Sequence, residues 1–89
     1  MTQNVEINHK QAEILDRLFQ EVQRRFPTIV RQELRRSPED KEHLWLYVEG
    51  SMTEEEEVDF INFSGDLEAD ILLDTGYSIS LMPRFTAPV

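Results

Sequence analysis

Thr53 to Met82, TEEEEVDFINFSGDLEADILLDTGYSISLM, is the stretch that decides the fold. Thr53 is placed to cap a helix, and Glu56 three residues on completes a capping box. Four consecutive glutamates, Glu54 to Glu57, suit the positive pole of a helix dipole. Gly76 supplies the residue type that ends helices, and YSISLM follows with Ile79 and Leu81 two apart, the period of a strand. A helix, a glycine turn and a strand are therefore expected in that order.

Placing Val58 to Leu73 at about 100° per residue divides the apolar residues of this helix into two groups. Phe60, Phe63, Leu67 and Ile71 fall together and are expected to cover a sheet. Val58, Ile61, Gly65, Ala69 and Leu72 fall nearly opposite, with Gly65 and Ala69 leaving that surface low. A helix apolar on two sides must meet something on each. The second face meets either another helix of the same chain or a partner.

Outward from this stretch, the N-terminal half supplies a second helix from about His9 to Phe26, with Asn8 as N-cap and Gln11 in the capping-box position. Ile14, Leu15, Leu18, Phe19, Val22 and Phe26 form its apolar face. Glu13–Arg17 and Glu21–Arg25 are spaced for i,i+4 ion pairs. Pro27 stops it. Thr28 to Arg36 reads as an edge strand, Val30 and Leu34 on one side and Arg31, Glu33 and Arg35 on the other. Ser37 to Lys41 is a polar turn. HLWLYVE, His43 to Glu49, is the clearest strand: Leu44, Leu46 and Val48 point one way, Trp45 and Tyr47 the other.

The expected fold is α/β (α+β), a two-layer sandwich in the order αββαβ. Two helices lie on one face of a three-stranded mixed sheet, with an antiparallel first hairpin and a crossover to the last strand. The chain of 89 residues is expected to form one domain, frayed over 1–7 and 84–89. With both helices on the Leu44/Leu46/Val48 side, Trp45 and Tyr47 lie on an open sheet face, and exposed aromatic surface marks association.

Composition narrows the function. The chain has no cysteine, which removes disulfides, thiol nucleophiles and thiolate metal sites. No run approaches a membrane span and no hydrophobic signal core opens the sequence, so a cytoplasmic protein with no membrane partner is expected. Nine basic and eighteen acidic residues give a net charge of −9. Residues 1–41 hold eight basic and seven acidic side chains, residues 42–89 only Arg84 against eleven acidic ones. Such a surface repels nucleic acid. Arg31 and Arg35, within the one basic concentration, are the candidate contact for an anion. The ladder Asp59, Asp66, Asp70 and Asp74 lies along one helix and does not converge on a cation. His9 and His43 lack ligand spacing, and no nucleophile elbow or phosphate loop occurs. No catalytic, cofactor or metal residue is assigned.

Leu46 to Pro83, with Leu72-Leu73-Asp74-Thr75-Gly76-Tyr77-Ser78-Ile79-Ser80 as its motif, resembles the closing half of minimal, antitoxin-like nucleotidyltransferase domains. The resemblance implies a nucleotide-binding enzyme whose signature is a Gly-Ser pair followed by two carboxylates flanking an apolar residue. Gly50-Ser51 and Glu57-Val58-Asp59 are the matching types, separated by five residues. Glu57 and Asp59 fall inside the expected helix, where residues two apart point about 200° away from each other and cannot share a metal. No catalytic residue is carried over. The expected function is a non-catalytic protein-interaction module forming a homodimer or meeting a protein partner through Trp45, Tyr47, Val58, Ile61, Gly65, Ala69 and Leu72. A diverged nucleotidyltransferase-like enzyme or nucleotide binder is the alternative.

Overall fold

The computed structural model describes residues 6–87. Five elements follow in the expected order: α1 (His9–Arg25), β1 (Val30–Arg36), β2 (His43–Ser51), α2 (Glu54–Thr75) and β3 (Ser78–Thr86). The sheet order is β1-β2-β3, with β1 antiparallel and β3 parallel to the central β2. The fold is the α+β sandwich read from the sequence.

Both helix starts are fixed by reciprocal side-chain bonds. The Asn8 side chain accepts from the Gln11 N–H at 2.7 Å, and Gln11 accepts from the Asn8 N–H at 3.0 Å. Thr53 and Glu56 repeat the device at α2. Each box satisfies two of the N–H groups a helix end leaves free. Gly76 closes α2 with φ of 80°, the left-handed conformation that glycine adopts without steric cost.

Ile14, Leu15, Leu18, Phe19 and Val22 of α1 share one core with Leu44, Leu46 and Val48 of β2, Ile79 and Leu81 of β3, and Phe60 of α2. Phe60 is its centre. Its ring meets Phe26 edge-on at 5.5 Å and Phe85 at 4.7 Å, geometries that aromatic quadrupoles favour. Phe63, Leu67 and Ile71 are half-buried against the same core. Both helices therefore lie on one side of the sheet.

Three local expectations are corrected. β1 is not a regular pleat, because its register shifts between Arg31 and Leu34. Val30 pairs with Glu49 on the open face and Arg31 with Val48 on the helix face, so the two exchange the sides that strict alternation assigns. The C-terminal segment is also ordered further than expected. β3 continues through Pro83 to Thr86, which pairs with Ser51, because Phe85 is anchored against Phe60. Residues 84–86 thus belong to β3, while residues 1–5 and 88–89 lie outside those described. Finally, Glu13 pairs with His9 at 3.3 Å and Glu21 with Arg24 at 3.4 Å. Arg25 instead lies over the Phe63 ring at 4.9 Å.

Candidate interaction surface

The two apolar faces of α2 have different fates. Phe60 is buried, and Phe63 stacks edge-on with Phe26 at 6.1 Å at the end of α1. A groove between the helices is lined by Arg17, Leu18, Leu67 and Ile71 among others. α1 therefore docks beside the Phe60/Phe63/Leu67 face and leaves the other face free. Val58 is 57% exposed, Ile61 53% and Leu72 46%. Ala69 is exposed too, and a Cβ built on Gly65 would meet nothing within 4 Å. The chain's own first helix, one of the two expected neighbours of this face, does not cover it.

The stripe continues into the free edge of β3. Gly65, Glu68, Ala69 and Leu72 line a shallow groove with Ile79 and Ser80 of that strand and His43 of β2. At its floor the Glu68 carboxylate accepts from the Leu81 N–H at 2.8 Å. Burial pushes the Glu68 carboxyl up to about 7, and the Leu81 hydrogen bond pulls weakly in the opposite direction. Since the Leu81 N–H points outward, alternation along the strand directs Pro83 outward as well. The β3 edge therefore has one donor occupied by a side chain and one position with no donor. Both features discourage the addition of another strand.

Leu73 and Glu68 were not among the expected contact residues. Leu73, at 85% exposed, is the most open large apolar residue of the described chain. Its position just outside the stripe on a helical projection was the available signal. Nothing local marked Glu68, whose role depends on where β3 returns.

The other candidate surface, the open sheet face, largely covers itself. Trp45 and Tyr47 are half-buried although no helix lies over them. The Arg84 guanidinium sits 3.9 Å above the Tyr47 ring and bonds to Glu33 at 2.9 Å, while Arg35 reaches Glu33 from the other side at 3.1 Å. The Arg84 and Arg35 hydrogen bonds hold the Glu33 carboxyl below its ordinary range. His43 bonds to Ser80 at 2.8 Å and meets Trp45 edge-on.

Arg31 and Arg35 are not brought together. The β1 irregularity sends Arg31 to the helix side, where it pairs with Asp16 at 2.7 Å and lies over Phe19. Arg35 stays on the open face with Glu33. Arg36 bonds to the carbonyls of Lys41 and Glu6. The basic concentration seen in sequence is thus divided among separate partners.

Gly50 and Ser51 end β2, paired with Phe85 and Thr86, and the backbone of Thr28 and Ile29 passes 3.4 Å from where a Gly50 Cβ would sit. Glu57 and Asp59 both lie within α2. Among the described residues, no three His, Asp or Glu side chains are placed to hold a metal ion, and no helix is long and apolar enough to cross a membrane. No protein-family model, curated protein or solved structure matches this chain.

Proposed function

We propose that this chain is a non-catalytic protein-interaction module that associates with copies of itself through the outer face of α2. One observation carries the reading: a 22-residue helix buries one apolar face and leaves Val58, Ile61 and Leu72 about half exposed on the other. Apolar surface gathered into one stripe beside a polar rim is what association sites present. The open sheet face is the weaker candidate, since Arg84 and Glu33 already occupy the surface around Tyr47.

The non-catalytic part of the reading is supported by the way charged groups are used. Arg31, Arg35 and Arg84 are each committed to a carboxylate of the same chain, and α2 spreads its acidic residues along its length. Sedimentation velocity over a concentration series tests the association. A sedimentation coefficient that rises with concentration is expected, and a constant monomer value through the high-micromolar range would refute it. Calorimetric titration with ATP and Mg²⁺ tests the enzymatic alternative, and no binding isotherm is expected.

A further inference from the structure

The exposed stripe on α2 is symmetric about its own midpoint. Ile61 and Ala69 stand four residues either side of Gly65, and Val58 and Leu72 stand seven either side. Steps of four and seven return to within about 40° of the starting direction on an α-helix, so all five residues share one line of sight. Such a face is complementary to itself turned end for end. We propose that the chain forms a two-fold dimer in which α2 packs antiparallel against the α2 of a second copy, centred on Gly65. This rests on the self-association reading above and adds its geometry.

The axis sets Val58 against the partner's Leu72, Ile61 against the partner's Ala69, and Gly65 against the partner's Gly65. A large side chain faces a small one at the inner pair. At the centre neither copy has a side chain, so the helices can approach closely, as small residues at crossing points allow. Gly65 has no other visible use. Its φ is not positive, a Cβ there would touch nothing, and glycine in a helix interior is less stable than alanine.

Charge decides the orientation. Parallel helices would bring the two Glu54–Glu57 runs abreast. The antiparallel pair puts them at opposite ends, separated by roughly the 30 Å length of a helix of this size and far beyond the ~8 Å screening length of physiological salt. The stripe offers on the order of 300 Å² per copy, less than half of the roughly 800 Å² per partner in a standard interface. The dimer is accordingly weak, with a dissociation constant on the order of 10–100 µM.

A chain without cysteine makes single-cysteine cross-linking unambiguous. Gly65→Cys, which the open space tolerates, lies on the axis and is expected to give a disulfide-linked dimer under mild oxidation. An Ile61→Cys/Ala69→Cys double variant is expected to cross-link likewise, and Arg35→Cys on the open sheet face, away from α2, is not. Sedimentation of the parent protein runs alongside, with circular dichroism to establish that each variant is folded. Parent dimers with cross-linking at residue 35 and none at 65 would overturn this geometry and leave self-association standing. A parent that stays monomeric, with no cross-linking at 65, would overturn both.

Discussion

The side chain of Glu68 in α2 accepts a hydrogen bond from the backbone N–H of Leu81 in β3 at 2.8 Å, across the groove where helix meets sheet edge. A carboxylate thus does on this edge what a neighbouring strand would otherwise do. Its position costs solvation, and that cost is measurable.

The Glu68 carboxyl releases its proton near 4.5 when unfolded and near 7 when folded. Between these values the folded state binds the proton more tightly. This group's contribution is therefore full below pH ~4.5, declines as pH rises to about 7 and is level above. Glu68→Gln keeps an acceptor for Leu81 and removes the titration. It should be more stable than the parent at pH 8, by roughly 1–2 kcal/mol after allowing for solvent screening, and should lose the advantage at pH 5. Urea unfolding of both proteins from pH 5 to 8 checks the sign.

Phe60 carries more of the core than any other α2 residue, fully buried between Phe26 and Phe85. Phe60→Ala should cost about 3–5 kcal/mol. That is a large share of the roughly 5–10 kcal/mol a domain of this size has. Chemical denaturation should show a midpoint lowered by roughly a third or more of the parent's, with the chain already unfolded only if parent stability sits at the low end of that range. Phe85→Ala should cost less, since Phe85 is only half-buried.

Arg84 bridges Glu33 and the Tyr47 ring. Arg84→Ala should return the Glu33 carboxyl toward its ordinary range, because the first cause of its lowering is removed. A pH titration followed by NMR at Glu33 reads this directly. The stability loss should be small, as expected for an exposed cation–π contact and a surface ion pair.

Thr53→Ala removes one arm of the α2 capping box and should cost about 1 kcal/mol. Hydrogen exchange of the Glu56 and Glu57 amides should accelerate more than that of Ile71 if the loss begins at the helix start. Equal acceleration throughout would place the damage elsewhere.

The sequence revealed most where one residue type has one local use. Asn8 with Gln11, Thr53 with Glu56, and Gly76 each announced a helix boundary that the structure repeats. Alternation in β2 likewise assigned Leu44 and Trp45 to opposite faces. It failed in β1, where Gln32 and Glu33 together face the Tyr47 position and reverse the phase. A bulge is a two-strand event that one strand's pattern does not record. The tail after Met82 shows no period of its own, yet β3 runs on through Pro83, because at a free edge its missing N–H loses no ladder bond. The stripe from Val58 to Leu72 was legible as a surface. Its exposure was not, because that depends on which side of α2 receives Phe26 and the rest of α1.

Pro83 and Glu68 along one border, and the kinked, arginine-bearing β1 along the other, have a joint consequence for how many molecules can meet. Both margins of the sheet discourage the stacking of further strands without limit. In the proposed pairing through α2, each copy would use up the surface that joins it, so growth would halt at a pair and not run on into a fibre.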